Sequence, residues 1–566
     1  MTASFWNDKY PEGIPSEINP DEYRNILAVL KQSCERFSQR PAFSNLGRTL
    51  SYGELYQLSG DFAAWLQHHT DLQPGDRIAV QLPNLLQYPV VVFGAMRAGL
   101  IVVNTNPLYT TRELDHQLRD SGARAMVCLA NMAHRVEEVL PVSEVRHLII
   151  TEVGDMLPNI KRQLVNAVVR HVKKMVPAYH LPTAIRFRQT LAQGQQESLR
   201  EANPGPEETA VLQYTGGTTG VAKGTMLTHR NIVANMLQCR PLMAHRLEEG
   251  REVMVAPLPL YHIYAFTLHC MVMMLIGAHN LLITNPRDFA TFIKDLGRYR
   301  FTGFVGLNTL FVGLCNDERF RRLDFSPLKA TFSGGMALTQ AAAERWREVT
   351  GCTISEGYGM TETSPVVSVN PFQQIRLGTI GIPLPSTGCK VIDDEGNELP
   401  PGSTGELCVR GPQVMKGYWQ RPEATAEVLD AEGWLKTGDI AVIEADGYLR
   451  IVDRKKDMIV ISGFKVYPNE LEEVLATLPG VLQGAAIGVP DSTNGEKIKL
   501  FVVCKPGATL TEEDVIKHMH DNLTGYKRPR IIEFRDSLPT TNVGKILRRE
   551  LRDEELQKRK TGEPAT

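Results

Sequence analysis

From Arg77 onward, short runs of β-branched and apolar residues alternate with stretches of helical periodicity, and that alternation restricts the chain to a narrow set of folds. Residues 78–82, 100–103 and 125–129 read as strands, with helices over 88–97 and 111–120 between them. The pattern resumes with strands at 253–256, 280–283, 303–306 and 330–333, then a helix over 341–349 and a strand at 352–355. Strands separated by helices pair in parallel, with helices on both faces of each sheet and sites at the strands' carboxyl ends. The expectation is an α/β protein whose large N-terminal part holds layered parallel sheets.

One loop in that part is chemically unusual. Tyr214-Thr-Gly-Gly-Thr-Thr-Gly-Val-Ala-Lys-Gly224 packs four glycines, three threonines and one lysine into eleven residues, directly after the apolar run 210–212. Glycines let a backbone approach anionic oxygens closely, and backbone N–H groups, hydroxyls and Lys223 together suit a nucleotide's phosphates. Ala222 precedes Lys223 and Gly224 follows it, so the loop departs from G-x-x-x-x-G-K-[ST] and a P-loop kinase or GTPase is disfavoured. Taken alone, the loop reads equally well as a flexible turn between core elements.

The texture changes near residue 380, where turn signals such as Pro400-Pro-Gly and Asp446-Gly separate short strands. A β-rich subdomain is expected over about 380–453. The charged run Val452-Asp-Arg-Lys-Lys-Asp457 follows, then a helix at 469–478, strands at 484–489 and 499–503, and a helix at 512–520. These make a small α+β C-terminal domain. The expected division is therefore 1–453 and 454–566, with a hinge at about 453–457. A chain of 566 residues is too long for one core.

Composition excludes several classes. Net charge is −2, so nothing in the bulk balance argues for nucleic acid. Nine cysteines stand singly with no C-x-x-C pair, which suits a reducing cytosol and offers neither a zinc site nor a disulfide framework. The first nine residues lack the order of a signal peptide. Residues 265–283 are interrupted by His269, His279 and Asn280, short of the roughly 20 apolar residues that span a bilayer.

Further segments match the loop's chemistry: Pro259-Leu-Tyr-His-Ile-Tyr264, Ser333-Gly-Gly-Met336, Gly357-Tyr-Gly-Met-Thr-Glu-Thr363, Trp434-Leu-Lys-Thr-Gly-Asp439, Asp453-Arg454 through Gly463, and Pro539-Thr-Thr-Asn-Val-Gly-Lys545. In order and spacing this set resembles the superfamily of adenylate-forming enzymes, from about residue 25 to about 555. Within it the segments 433–456 and 460–470 are most similar to bacterial long-chain fatty acid–CoA ligases. The resemblance implies a two-step reaction in which a fatty acid and ATP give acyl-AMP and diphosphate, and CoA then displaces AMP. The implied partners are fatty acid, ATP and CoA, with Mg²⁺ as cofactor and no nucleic acid.

The same resemblance assigns roles residue by residue. Thr215, Gly216, Gly217, Thr218, Thr219, Gly220 and Lys223 would hold the phosphates. Glu362 would bind Mg²⁺, and Thr361 would donate toward the α-phosphate. Gly334, Gly335, Tyr358 and Gly359 would form the adenine slot, and Asp439 with Arg454 would hold the ribose. Lys545 would reach the reacting carboxylate from the small domain, Lys456 would be the pivot, and Gly463 would line the pantetheine tunnel. His262 would stand at the mouth of the acyl site, with Phe266 as its aromatic gate.

Residues 156–196 contain seven lysines and arginines and no acidic residue, while Ile160, Leu164, Val168, Val172 and Met175 recur at helical spacing. Such a basic amphipathic helix either lies on an anionic bilayer or docks on the large domain. A cytoplasmic protein with peripheral contact at the inner membrane is expected, with a homodimer as a further candidate. Three alternatives remain at this point: a medium-chain or aryl acid–CoA ligase, an acyl-AMP ligase that loads a carrier protein, and a non-catalytic lipid-binding relative.

Overall fold

Helix starts follow chemistry written locally in the chain. Ser51 with Glu54, Thr110 with Glu113, and Thr228 with Asn231 form reciprocal caps on the helices Tyr52–His69, Thr111–Ser121 and His229–Ala244. Each satisfies backbone N–H groups that have no partner inside the helix. The computed structural model describes residues 3–215, 222–491, 495–541 and 546–560.

Among the described residues the strands form four sheets. The first is centred on Arg77–Gln81, Ile101–Asn104, Ala125–Leu129, His147–Thr151 and Thr209–Thr215, all paired in parallel. Val102 lies opposite Ile78 on one side and Val211 on the other, so the β-branched runs interleave in the buried layer. Lys223–Thr228 then pairs antiparallel with Thr209–Thr215. The Gly-rich loop thus joins the two arms of a hairpin; its residues 216–221 lie outside the described residues.

The second sheet is built on Val253–Ala256, His279–Leu282, Gly303–Gly306, Ala330–Ser333 and Ile354–Gly359, again parallel. The strand expected at 352–355 starts two residues later. The helix Gln340–Thr350 ends on Gly351 at φ 73, and the Cys352 N–H is held by the Thr350 hydroxyl, so this turn delays the strand. Both sheets match the expected parallel α/β layers.

The third sheet is antiparallel and comprises Gly388–Ile392, Thr404–Arg410, Leu435–Ile443 and Leu449–Arg454. The fourth begins at Ile459–Ile461, holds Val481–Asp491 against Gly495–Cys504, and adds Ile531–Phe534 in parallel. It has its own core, in which Ile459, Leu471, Leu475, Ile498, Leu500 and Val515 are buried together.

The basic segment folds differently from a single continuous helix. Asn159–Ala167 is α-helical, Val168–Val172 is a π-helical turn, and Lys174 at φ 50 ends the run. Val168, the first residue of the wider turn, is half-buried and does not share the exposure of the stripe. Ile160, Leu164, Val172 and Met175 are 86%, 63%, 72% and 54% exposed, so that face is not docked on the body of the protein. No described helix is long and apolar enough to cross a membrane.

Candidate active site

Loops at the carboxyl ends of both parallel sheets meet the third and fourth sheets around one cavity of about 1350 Å³. The hairpin contributes Thr215 and Lys223 to its wall. The two ends of the loop are fixed by one helix: the Tyr214 hydroxyl donates to Asp120 at 2.8 Å, and His116 Nε2 donates to the Ala222 carbonyl at 2.8 Å. Gly216, Gly217, Thr218, Thr219 and Gly220 lie outside the described residues.

Gly334 and Gly335 follow the strand Ala330–Ser333 and line the cavity. A Cβ on Gly334 would stand 3.2 Å from the Tyr264 ring, and Gly335 sits at φ 84, so larger residues would narrow this slot and strain its turn. Tyr358 and Gly359 end the strand Ile354–Gly359 on the facing wall. Gly359 has a structural reason of its own, since a Cβ there would come within 2.0 Å of the Pro365 carbonyl oxygen.

Asp439 and Arg454 sit opposite each other on neighbouring strands, with Arg454 Nε 3.7 Å from the Asp439 carboxylate. The Tyr358 hydroxyl donates to the other carboxylate oxygen at 2.5 Å. Burial, then the charge of Asp439, keeps that phenol neutral well beyond its ordinary range. The carboxylate is thereby held edge-on to the cavity as a pure acceptor.

Thr361 and Glu362 lie in a short 3₁₀ turn, and Glu362 is only 7% exposed. Burial raises its pKa, while the backbone and the Tyr418 hydroxyl act in the opposite direction. No described cation lies within ion-pair distance of Glu362, although it opens onto the cavity. A buried carboxylate in that setting suits a hard divalent cation that completes its shell with other oxygens. No described group of three or more His, Cys, Asp or Glu residues could hold a metal by itself.

The same cavity is also lined by the apolar side chains of Cys239, Leu242, Met243, Leu268, Val272 and Phe372. His262 lines it as well, its Nδ1 accepting the Tyr264 N–H at 3.3 Å at a helix start. Phe266 is not brought to this wall. It is fully buried in the core behind it, and its neighbours Thr267 and Leu268 face the cavity instead.

The junction after the third sheet also borders the cavity. Lys456 lines it, with its pKa pushed down to about 8 by desolvation and by Arg454. Asp453 is fully buried; it accepts the Asn469 N–H at 2.8 Å and lies 4.0 Å from Arg548. Lys545 lies outside the described residues, but Thr541 and Ile546 on either side of 542–545 line the cavity. Gly463 does not: it occupies an exposed turn at φ 85 between Ile459–Ile461 and Phe464–Val466.

Sequence reasoning passed over two residues here. Glu356 is buried in the cavity wall, where it accepts the Leu338 N–H at 3.0 Å and where burial pushes its pKa up to about 7. Tyr418 bonds to Glu362, and the only sequence signal for it is an aromatic next to Gly417, whose φ of 144 few other residues adopt.

The AMP-binding enzyme family model matches residues 30–419, and that of the AMP-binding enzyme C-terminal domain matches 470–545. The chain is 53% identical over 550 residues to a long-chain-fatty-acid–CoA ligase of Escherichia coli O6:H1, covering 97% of this chain and 98% of the relative. A ligase of the same description from Haemophilus influenzae is 50% identical over 98% of this chain and 99% of its own length. Among solved structures, ATP-bound MatB from Rhodopseudomonas palustris superposes with a TM-score of 0.77 at 28% identity, over 94% of this chain and 99% of that one.

Proposed function

The chain belongs to the AMP-binding enzyme family, and on that premise we propose that it is an AMP-forming long-chain fatty acid–CoA ligase. One observation carries the reading: a single cavity is lined both by Lys223, Glu362, Asp439 and Arg454 and by apolar side chains such as Leu242, Leu268 and Phe372, with His262 on the same wall. Likeness over nearly the full length, at 50% and 53% identity, to long-chain-fatty-acid–CoA ligases supports the same substrate class.

In the first half-reaction the fatty carboxylate attacks the α-phosphorus of ATP, the bond to the β-phosphate oxygen breaks, and acyl-AMP and diphosphate form. Two anions meet, so the barrier falls only if cations and donors stand where charge accumulates. Thr215, Lys223 and the loop 216–220 hold the β- and γ-phosphates, and Thr361 donates toward the α-phosphate. Glu362 would hold Mg²⁺, which would neutralise charge where the two anions meet. Asp439, fixed by Tyr358 and Arg454, accepts from the ribose hydroxyls, and adenine enters between Gly334–Gly335 and the Tyr358 strand. Lys545, in the segment between Thr541 and Ile546, would supply a cation to the reacting carboxylate and α-phosphate. In the second half-reaction the CoA thiol attacks the acyl carbonyl, the C–O bond to AMP breaks, and the thiol proton leaves to solvent. Rotation about Lys456 withdraws Lys545 and turns the Gly463 face toward the cavity.

The exposed apolar face of Asn159–Ala167, with Arg162, Lys173 and Lys174 around it, is the surface for contact with an anionic membrane that supplies the acid. The reaction is tested by product analysis with free acids from hexanoate to oleate. AMP and diphosphate, with long acids turned over best, are expected. ADP and phosphate as stoichiometric products overturn the mechanism, and a preference for short or aryl acids overturns the substrate class.

A further inference from the structure

We propose that Tyr418 is a positioning residue that locks the phosphate-binding hairpin and the Glu362 carboxylate into one unit, so that Lys223 and the site for the divalent cation keep a fixed separation. This rests on the roles proposed above for Lys223 and Glu362. It assigns a function to a residue outside the motifs that carry those roles.

The segment 415–419 is laced to both partners. Toward Glu362, the Met415 N–H donates to the Glu362 carbonyl at 2.8 Å, and the Tyr418 hydroxyl donates to Glu362 Oε1 at 2.9 Å. Toward the hairpin, Gly417–Tyr418 pairs antiparallel with Lys223–Thr228, placing Tyr418 opposite Thr225. The Lys416 N–H donates to the Met226 carbonyl at 3.1 Å, and the Trp419 N–H to the Gly224 carbonyl at 2.7 Å. The Tyr418 ring itself lies beneath Lys223, whose Nζ is 5.1 Å from the ring centroid. One side chain therefore touches the ammonium with its face and the carboxylate with its hydroxyl.

The physical need for such a device is clear. Glu362 is buried without a described ion-pair partner, so its second oxygen is kept in place by geometry rather than by a protein cation. Direct attraction between Lys223 and Glu362 would draw the two together and close the space that the phosphates and cation need. Tyr418 between them gives each a neutral partner: a ring face for the ammonium and a hydroxyl donor for the carboxylate. Both charges stay available to the ligand.

The test uses the full-length protein and three variants. The readouts are thermal stabilisation by ATP in EDTA, stabilisation by ATP with Mg²⁺, and the Mg²⁺ dependence of diphosphate–ATP exchange. Tyr418→Phe keeps the ring and removes the hydroxyl. It should raise the Mg²⁺ concentration for half-maximal effect about tenfold, the scale of a hydrogen bond to a charged group, in both the stabilisation and the exchange. Its maximal rate should fall by a smaller factor, and stabilisation by ATP in EDTA should match wild type. Tyr418→Leu should also weaken stabilisation by ATP in EDTA, because Lys223 loses its platform. Wild-type Mg²⁺ dependence in Tyr418→Phe, alongside an impaired Glu362→Gln, overturns the role of Tyr418 alone. Wild-type Mg²⁺ dependence in Glu362→Gln overturns both this proposal and the reading of Glu362 on which it rests.

Discussion

The Tyr358 hydroxyl and the Asp439 carboxylate, 81 residues apart in the chain, form a hydrogen bond of 2.5 Å in the wall of the cavity. A tyrosine from the second sheet thus aims an acceptor from the third. If Asp439 holds the ribose, Tyr358→Phe leaves the wall intact but lets the carboxylate turn toward Arg454. The KM for ATP should rise about tenfold, from the loss of one charge-assisted hydrogen bond, with a smaller effect on kcat. Steady-state titration of ATP checks this, and an unchanged KM removes the pair from nucleotide binding.

Domain alternation predicts opposite failures on either side of the junction. If Lys545 acts where the carboxylate meets the α-phosphate, Lys545→Ala removes that cation and acyl-AMP formation should fall by about 10² to 10³. Handed acyl-AMP already made, the same variant should still form acyl-CoA. Lys456→Pro restricts φ near −65° at the pivot and should adenylate but transfer poorly to CoA. Rapid-quench measurement of each half-reaction decides the matter, and equal loss of both steps in both variants argues against rotation.

Membrane contact should depend on salt. Replacing Lys161, Arg162, Lys173 and Lys174 with Gln removes cations that are each worth about 1 kcal/mol near an anionic surface. Co-sedimentation with phosphatidylserine vesicles should drop at least about tenfold, and the wild-type interaction should weaken as ionic strength rises. Turnover of detergent-dispersed acid should persist. Unchanged sedimentation would assign the exposed stripe of Ile160, Leu164 and Val172 to something other than a bilayer.

Glu356 predicts a pH dependence of stability. Burial raises its pKa to about 7 in the folded protein, opposed by the Leu338 N–H and reinforced by Glu473. Its folded pKa therefore exceeds the unfolded value of about 4.5. Between these limits the folded state binds the extra proton, so raising pH favours unfolding. Stability from this group is full below about pH 4.5, declines to about pH 7 and then levels, a total on the order of 3 kcal/mol. Relative to Glu356→Gln, the wild-type thermal midpoint should fall across that window. A constant difference from pH 5 to pH 8 would contradict it.

Much of the frame was legible in the chain. The strands Val253–Ala256, Gly303–Gly306 and Ala330–Ser333 begin and end where the sequence places them, because strands buried on both faces read as short runs of apolar and small residues. Motifs such as Gly357-Tyr-Gly-Met-Thr-Glu-Thr363 were equally visible, since close approach and charge constrain residue type position by position.

The sequence by itself determined the α/β layers, the set of charged and glycine-rich segments, and the class of chemistry that such a set implies, because those depend on local periodicity and residue type. Only tertiary structure decided which side chains meet. Phe266 looked like a gate but is fully buried in the core, and Thr267 and Leu268 line the cavity in its place. Val168 is half-buried while Ile160, Leu164 and Val172 of the same stripe are exposed. Gly359 has a close-packing reason of its own at the Pro365 carbonyl, and Tyr418 became the link between Lys223 and Glu362 across 195 and 56 residues of chain. Contacts at such separation follow from how sheets pack on one another, and no window of neighbouring residues encodes them.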